Sequence, residues 1–531
     1  MNVRLLLSTG LVVLLNSGLC AAADTRADAA CAGLAKLKVT DVVIESATEV
    51  PAGSVIHNEM PPIDTAPQPA HCLVRGEVGH HQGADGHAYG NKFELRLPQN
   101  WSGRFLFQGG GGLDGIIRPA VGVVVPDPRA NIPTALERGY AVVSTDAGHD
   151  QATLKSPGDF GADPKALEDY EFNSTRAVAG VATALLKSYY GSASKHTYFM
   201  GCSEGGREGL IAAQRYPEVF DGIIAGSPAF RLTRAMVAEA WNTQTLAALA
   251  PPGNAGPPRL HQALTDHDLQ VLSAAVLRQC DALDGARDGI IGDPLACHFD
   301  PQTLSCATAP GAECLAPEKV AAIRRIFEGP TSPAGESLYS NWLYDSGVSE
   351  FGWRLWMLGS EQMPALNLLI APAAINGLAL GNKPPPIDML RMNFAGDVQR
   401  IDEIGPRLNA TATDYTGFRG RQGKLLLYIG VSDPIFSAAD LIRYYAGIPH
   451  AADFSRLYLV PGMNHCGGGK ATDQFDSLAA MQTWVEEGHA PQRIVARGAA
   501  FPGRSRPLCP YPAVARYSNG DIEAEKSFSC K

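Results

Sequence analysis

A serine flanked by glycines is the residue of this sequence best placed for covalent chemistry. Ser203 lies in the stretch G-C-S-E-G, residues 201–205, between a strand-like segment HTYFM and a helix-like segment EGGREGLIAAQR. Glycines at a strand-to-helix turn allow a strained backbone that exposes the serine hydroxyl at the sheet edge. A glycine-rich turn that only packs closely is the alternative. The flanking elements favour a nucleophilic serine.

A nucleophilic serine needs a base and an acid that orients the base. In folds with a G-x-S-x-G turn, these residues follow the serine in the order Asp or Glu, then His. Asp433 follows the predicted strand KLLLYIG, and His465 follows the predicted strand RLYLVPG. Most aspartates and histidines in loops are solvated or cap helices, but here the chain order and the strand-end positions agree. The sequence therefore predicts a triad of Ser203, Asp433 and His465 that forms an acyl-enzyme.

An acyl-enzyme forms through a tetrahedral intermediate, whose oxyanion needs hydrogen-bond donors. The N–H of Glu204, directly after the serine, is the first expected donor. The run of glycines 109–112, at the end of an early predicted strand, should supply the second. We assign that role to Gly110 and Gly111.

Both reactive positions have a cysteine beside them. Cys202 precedes Ser203, and Cys466 follows His465. If the serine and the histidine are within hydrogen-bond reach, the two sulfurs are also close, and an oxidising compartment would join them as a disulfide. Two buried free thiols are the alternative. We predict the disulfide.

The amino terminus and the composition indicate a compartment and exclude some partners. An apolar run from Leu5 to Leu19, followed by small residues, is typical of a secretory signal peptide covering residues 1–23. A membrane anchor or a lipoprotein cut at Cys20 is less favoured, because the run is short and Leu19 is bulky. Of eleven cysteines, ten remain without Cys20, an even number that suits a secreted or periplasmic protein. The net charge of −10 predicts neither nucleic acid nor a membrane surface as a partner.

Strands alternate with amphipathic helices along much of the chain, which predicts an α/β fold with a mostly parallel sheet. The segment 231–422 breaks this rhythm and is rich in Pro and Trp. We predict a catalytic domain from residues 24–230 and 423–531, and an inserted lid domain of residues 231–422. The predicted strands of the catalytic domain are Arg104–Gln108, a strand ending in a glycine-bearing turn over Tyr140–Gly148, His196–Met200, a strand and turn within Phe220–Phe230, Lys424–Gly430 and Arg456–Gly462.

The C-S pair at residues 202–203, the S-D-P around Asp433 and the H-C pair at residues 465–466 together resemble the tannase and feruloyl esterase family, which includes mono(hydroxyethyl) terephthalate hydrolases. The resemblance extends from about Cys31 to Cys530. It implies an α/β-hydrolase fold with a large inserted lid, no organic cofactor, and hydrolysis of small esters of aromatic (phenolic) acids such as gallate, ferulate or terephthalate monoesters. The disulfides that it implies are Cys31–Cys72, Cys202–Cys466, Cys280–Cys297, Cys306–Cys314 and Cys509–Cys530.

An acidic loop within the predicted lid is a candidate metal site. Asp281, Asp284 and Asp288 lie in one glycine-containing stretch between two cysteines, and crowded carboxylates suit a hard cation such as Ca²⁺. A solvated acidic turn is the alternative from the residues alone. The family resemblance implies a structural Ca²⁺ here, with the backbone carbonyls of Ala286 and Ile290 as further ligands.

The same lid should cover the aromatic part of the substrate. Among the lid residues Trp342, Trp353, Arg354 and Trp356, we assign substrate contact to Trp353 and Arg354, since an aromatic ring and a cation suit a phenolic or carboxylate-bearing ring. A role in the core of the lid is the alternative. A serine peptidase with the same triad, or a non-catalytic protein that binds carbohydrate or cell surfaces, remains the rival interpretation of the whole chain.

Overall fold

The computed structural model describes residues 30–59, 62–125, 127–251, 256–308, 310–311 and 313–531. The predicted signal peptide, residues 1–23, and Cys20 lie outside the described residues. None of the helices in the described ranges combines the length and the apolar character that crossing a bilayer would require.

The described chain contains β-strands and α-helices. The strands are β1 (Val42–Val50), β2 (His57–Glu59), β3 (Pro62–Asp64), β4 (His71–Gln82), β5 (Ala88–Pro98), β6 (Arg104–Gln108), β7 (Tyr140–Thr145), β8 (His196–Cys202), β9 (Gly222–Gly226), β10 (Lys424–Gly430), β11 (Ser455–Val460), β12 (Gln474–Phe475), β13 (Ile494–Arg497), β14 (Arg506–Leu508), β15 (Ala515–Tyr517) and β16 (Phe528–Cys530). The α-helices are α1 (Pro164–Glu168), α2 (Ser174–Tyr190), α3 (Glu204–Arg215), α4 (Leu232–Ala247), α5 (Asp266–Cys280), α6 (Pro317–Glu328), α7 (Phe351–Met357), α8 (Leu366–Ala373), α9 (Gly396–Asp402), α10 (Gly405–Leu408), α11 (Thr416–Gly420), α12 (Ala438–Ala446), α13 (Ala451–Phe454) and α14 (Ser477–Glu487).

Nine of the described strands form one central sheet in the order β1-β4-β5-β7-β6-β8-β9-β10-β11. The pairs from β7 to β11 are parallel, whereas β1, β4 and β5 add an antiparallel edge. Every residue of β7 and of β9 is buried, as expected for strands covered on both faces. In β1, by contrast, exposed and half-buried residues mostly alternate, because this strand ends the sheet.

The strands that carry the site lie where the sequence predicts them. The bounds of β6 and β10 coincide with the prediction, and β7 ends at Thr145, just before the predicted glycine-bearing turn. In that turn, Ala147 (φ 61°) and Gly148 (φ 100°) direct the chain out of the sheet. The predicted α/β class with a mostly parallel central sheet is confirmed.

The segment between β9 and β10 packs in two different places. Part of it, including residues of α5, α6 and α7, forms a hydrophobic cluster of its own. Other parts, including one face of α4 and side chains between residues 371 and 418, belong to the cluster that covers the sheet. The predicted lid of residues 231–422 is therefore only partly a self-contained unit in the described residues, and its exact bounds stay a prediction.

Candidate active site

The turn at Ser203 has the strained backbone that the glycine pattern predicts. Ser203 directly follows β8 and directly precedes α3, with φ 64° and ψ −120°. A non-glycine residue at positive φ costs roughly 1–2 kcal/mol, so neighbouring contacts must hold it. The Ser203 N–H donates to the Gly226 carbonyl, and the Ser203 carbonyl accepts from the Ala229 N–H, both at 3.0 Å. The end of β9 thus clamps the turn from both sides.

The glycines around the serine are required by close backbone contacts. A Cβ on Gly201 would lie 2.6 Å from the carbonyl of Gly205, and a Cβ on Gly205 would lie 2.8 Å from the carbonyl oxygen of Gly110. Both distances are too short for any side chain. The serine turn therefore packs backbone to backbone against the glycine run of residues 109–112.

The histidine and the aspartate of the predicted triad are hydrogen-bonded. His465 Nδ1 lies 2.8 Å from Asp433 Oδ2, and both side chains are buried. Because an ionised carboxylate only accepts, we assign the proton to Nδ1, which leaves Nε2 as the proton acceptor for the serine. The other oxygen of Asp433 accepts the N–H groups of Ile435 at 2.9 Å and Phe436 at 3.0 Å. Both carboxylate oxygens are thus held in place.

A disulfide brings the histidine loop to the serine turn. Cys202 and Cys466 are bonded, with their Cα atoms 6.0 Å apart across a sequence separation of 264 residues. His465 Nε2 lies 3.6 Å from Cys466 Sγ, so this ring nitrogen lies beside the bridge to Cys202, the neighbour of Ser203. Ser203, Asp433 and His465 all follow the carboxyl ends of parallel strands, which meet at one edge of the sheet. The structure therefore brings the loops that carry the three residues to the same edge of the sheet, and the catalytic triad itself stays a prediction.

Of the two glycine N–H groups assigned to the oxyanion hole, one already has a hydrogen-bond partner. The N–H of Gly110 donates to Glu208 Oε2 at 3.1 Å, so it is already occupied. Gly111, the other assigned glycine, remains the better placed donor. The N–H of Glu204 lies in the first turn of α3, where N–H groups have no partner within the helix. The assignment of Glu204, Gly110 and Gly111 stays a prediction, and the geometry favours Glu204 and Gly111.

A family model described as tannase and feruloyl esterase matches residues 72–531. The chain belongs to this family. A mono(2-hydroxyethyl) terephthalate hydrolase from Piscinibacter sakaiensis is 41% identical over 515 residues, which cover 87% of this chain and 85% of that protein. A probable feruloyl esterase from Arthroderma benhamiae is 30% identical over 470 residues, which cover 82% of this chain and 81% of that protein.

Solved structures agree with this membership. Feruloyl esterase B from Aspergillus oryzae is similar with a TM-score of 0.78 and 25% identity, over 95% of this chain and 100% of that one. The predicted family and the predicted α/β-hydrolase fold are confirmed. The protein is a carboxylic ester hydrolase.

Two aromatic rings lie against His465, the predicted catalytic histidine of this esterase. The ring of Trp356 meets the ring of His465 edge-on, with centroids 5.5 Å apart, and the ring of Phe436 does the same at 5.3 Å. Trp356 was one of four lid residues that the sequence offered, whereas Phe436 was missed. Its position three residues after the predicted catalytic Asp433 is the signal that points to it.

The two lid residues assigned to the substrate make other contacts. Trp353 is buried in the separate hydrophobic cluster of the lid segment. The guanidinium of Arg354 pairs with Asp266 at 2.9 Å and donates to the carbonyl of His261 at 3.1 Å. Substrate contact by Trp353 and Arg354 stays a prediction, and the structure places Trp356 closer to the triad.

Asp345 is a buried residue near the triad that the sequence did not indicate. Its carboxylate accepts the hydroxyl of Ser432 at 2.9 Å and the N–H of Gly462 at 2.5 Å. Burial raises the pKa of Asp345, while these hydrogen bonds favour its charged form. Ser432 precedes Asp433 and Gly462 lies three residues before His465, so Asp345 joins the two catalytic loops. An isolated aspartate in a lid segment gives no sequence signal for this role.

Arg207 is a second residue that sequence reasoning missed. It lies one turn into α3 and is fully buried. Its guanidinium donates to Glu204 Oε1 at 2.7 Å and to the carbonyls of Glu171 at 2.9 Å and Leu408 at 3.0 Å. Burial acts to lower the pKa of the Arg207 guanidinium, but the opposite charge of Glu204 outweighs burial and the pKa of Arg207 is raised. Arg207 thus anchors the helix that follows the nucleophile, and a charged residue on the predicted buried face of that helix is the available signal.

The structure contains the five cysteine pairs that the family resemblance implied. They are Cys31–Cys72, Cys202–Cys466, Cys280–Cys297, Cys306–Cys314 and Cys509–Cys530. Short separations of 8 to 41 residues in four pairs contrast with the 264 residues of the pair at the active site. Four bridges therefore fix local loops, and one links distant parts of the catalytic domain.

The acidic loop of the lid contains three carboxylates, but their oxygen atoms do not converge on one point. Burial and the charges of Asp288 and Asp281 raise the pKa of Asp284 to about 6, and burial and Asp288 raise that of Asp281. Asp288 is also paired with the guanidinium of Arg506. Within the described residues, the three carboxylates do not converge to within 4.8 Å of one another. Their donor chemistry suits a hard cation, because carboxylate oxygens are the ligands that Ca²⁺ prefers.

Proposed function

We propose that this esterase hydrolyses esters of aromatic, phenolic acids through an acyl-enzyme. The observation that carries the proposal is the pair of rings, Trp356 and Phe436, that stand edge-on to the catalytic His465. Aromatic rings beside the predicted catalytic base favour a flat aromatic acyl group, since ring contacts contribute beyond area burial. The names of the relatives, which specify terephthalate and ferulate esters, support the same class.

The proposed reaction uses the three predicted catalytic groups. His465 Nε2 takes the proton from Ser203 Oγ as the oxygen attacks the ester carbonyl. The C–O bond to the alcohol then breaks, and the imidazolium returns its proton to the leaving alkoxide. Asp433 stabilises the imidazolium through its bond to Nδ1. His465 Nε2 then takes a proton from a water molecule as the water oxygen attacks the acyl-enzyme carbonyl. The acyl–Oγ bond breaks, the aromatic acid leaves, and the imidazolium returns its proton to Ser203 Oγ.

The proposal includes a location outside the cytoplasm, in the periplasm or the medium. Five disulfides within the described residues suit an oxidising compartment. The apolar amino terminus with small residues at its end is typical of a secretory leader. Fractionation of expressing cells, followed by amino-terminal sequencing of the mature protein, tests this part.

The catalytic proposal is tested with purified protein and matched substrates. Wild type should hydrolyse methyl ferulate, methyl gallate or mono(2-hydroxyethyl) terephthalate much faster than the corresponding amides, and a fluorophosphonate should label Ser203. Ser203→Ala should lose both turnover and labelling while its melting temperature stays close to that of wild type. Faster cleavage of peptide amides would indicate a peptidase instead. Turnover retained by Ser203→Ala, or an unlabelled wild type, would refute the assignment.

We also propose a structural Ca²⁺ at the acidic lid loop. Asp281, Asp284 and Asp288 would contribute carboxylates, and Ala286 and Ile290 would contribute carbonyls. Oxygen-only donors and the raised pKa values of two of the carboxyl groups support this choice. The loop is bounded by the disulfide Cys280–Cys297, so such an ion would stabilise the lid rather than enter the chemistry.

A further inference from the structure

Three charged side chains lie against the glycine run that carries the predicted oxyanion donors. A Cβ on Gly110 would lie 1.9 Å from Asp114 Oδ2, and a Cβ on Gly111 would lie 3.0 Å from Arg118 Nη2. The third is Glu208, whose Oε2 accepts the Gly110 N–H at 3.1 Å. The glycines are therefore needed to leave room for these groups as well as for the serine turn.

Glu208 connects the two halves of the predicted oxyanion hole. It lies on α3, one helical turn after Glu204, and its hydrogen bond to Gly110 crosses 98 residues of sequence. The side chain is buried, with 5% of its surface exposed. One carboxyl group thus ties the helix that begins at the nucleophile to the loop that holds Gly111.

We propose that Glu208 is a positioning residue of the oxyanion hole. By holding the N–H of Gly110, it fixes the peptide between Gly109 and Gly110. This peptide directly precedes the one that carries the N–H of Gly111, so its orientation sets whether that N–H and the N–H of Glu204 can point at the same oxyanion. Because the Gly110 N–H donates to Glu208, it does not donate to the oxyanion. The inference rests on the proposed ester hydrolysis. It concerns the orientation of one oxyanion donor, the N–H of Gly111.

The contact does not depend on a negative charge at Glu208. Burial and the neighbouring Glu204 raise the pKa of Glu208 to about 7, and burial together with Glu208 raises that of Asp114 well above its ordinary value. The carbonyl oxygen of a neutral carboxyl group, or of a glutamine amide, still accepts an N–H. Glutamine at this position should therefore keep the loop in place, whereas an apolar side chain should not.

The test compares Glu208→Gln, Glu208→Leu and Glu208→Asp with wild type on methyl ferulate. We expect Glu208→Gln to keep kcat within about threefold, and Glu208→Leu to lose roughly tenfold to a hundredfold in kcat, since loss of a whole oxyanion donor costs about 10²–10³-fold. KM should change less than about twofold, because the donor acts on the transition state. Glu208→Asp keeps the carboxyl group but shortens the side chain by one methylene, so its oxygen should no longer reach the Gly110 N–H. Its kcat should therefore resemble that of Glu208→Leu.

An inhibitor comparison separates positioning from general stability. The affinity for an aryl boronic acid, which forms a tetrahedral adduct with the serine, should fall in Glu208→Leu by the same factor as kcat. The affinity for free ferulic acid should stay unchanged. Glu137→Leu is the matched control: its carboxylate accepts the Thr134 N–H at 2.7 Å just before β7, at the sheet edge opposite the triad. It should leave kcat and boronate affinity as in wild type.

Three results would overturn the proposal. These are wild-type kcat in Glu208→Leu, equal losses in Glu208→Gln and Glu208→Leu, and a lower kcat with unchanged boronate affinity. If Glu208→Leu does not fold, Glu208→Asp and Glu208→Gln decide the question by the same measurements. Failure of the proposed hydrolysis is a separate outcome, because it would appear as missing ester turnover in wild type or as turnover retained by Ser203→Ala.

Discussion

The disulfide between Cys202 and Cys466 joins the residue before Ser203, the predicted nucleophile, to the residue after His465, the predicted base. The bridge closes a loop that contains α3, the whole lid segment and β10. Both ends lie in strained backbone, since the neighbouring Ser203 has φ 64° and Cys466 itself has φ 62°. The bond therefore fixes the distance between two turns that the rest of the sheet positions only indirectly.

Removing this bridge should affect catalysis more than removing another one. For the double variant Cys202→Ala/Cys466→Ala, we expect kcat to fall at least about tenfold, because small displacements of catalytic groups are costly. Chain entropy allows ~4–5 kcal/mol of stability for so long a loop. Cys306→Ala/Cys314→Ala is the control: it opens a separation of 8 residues and should lower the melting temperature slightly with kcat unchanged. Equal kinetic effects in both variants would contradict a catalytic role of the bridge.

Asp345 should act through the two catalytic loops rather than on the substrate. Asp345→Asn keeps one acceptor oxygen but loses the charge that binds Ser432 and Gly462. We expect kcat to fall roughly tenfold with KM little changed, because Asp433 and His465 would be less well aligned. Steady-state kinetics on methyl ferulate measures this. A rise in KM alone would show that Asp345 contacts the substrate region instead.

The rings beside His465 should select aromatic acyl groups. Trp356→Ala and Phe436→Ala should each raise KM for methyl ferulate by about tenfold, since an aromatic contact with its buried area contributes about 1–2 kcal/mol. The same variants should hydrolyse p-nitrophenyl acetate nearly as well as wild type, because acetate has no ring to contact. Trp101→Phe, a change in a ring that stacks on Tyr190 at a distance of 4.1 Å, is the matched control. Equal losses on both esters would argue against ring recognition.

Removal of Ca²⁺ should lower stability without touching the chemistry. A chelator should reduce the melting temperature of wild type and have little effect on Asp284→Asn. The effect should be larger at pH 7.5 than at pH 5, because Asp284 with a pKa of about 6 must lose its proton to bind a cation. Differential scanning fluorimetry with and without added CaCl₂ measures both. An unchanged melting temperature at both pH values would refute the metal site.

Glu239 should make folding less favourable at alkaline pH. This carboxyl group lies on α4, and burial raises its pKa from 4.5 to about 8. The folded state therefore keeps a proton that the unfolded state releases, so its contribution to stability is complete below about pH 4.5 and is lost as pH rises to 8. Glu239→Gln should raise the melting temperature more at pH 8 than at pH 5. An equal shift at both pH values would show that Glu239 is not proton-linked to folding.

Much of the site could be predicted because its signals are local. Ser203 and its glycines specify a strained turn within five residues, and Asp433 and His465 each follow a recognisable strand. In parallel sheets the carboxyl ends of strands share an edge, so the order of the strands already places these residues near one another. The adjacent cysteines added a distance constraint that composition alone cannot supply. The sequence by itself thus determined the fold class and the Cys202–Cys466 bridge, and it predicts the triad.

Only the tertiary structure decided which polar groups support the triad and the oxyanion loop. Asp345, Arg207 and Glu208 act across 87 to 201 residues of sequence, and no spacing rule links positions so far apart. The tertiary structure likewise sets the ring of Trp356 against His465, whereas substrate contact by Trp353 stays a prediction. Long-range contacts depend on how whole elements pack, and packing is a collective property of many side chains that local patterns do not encode.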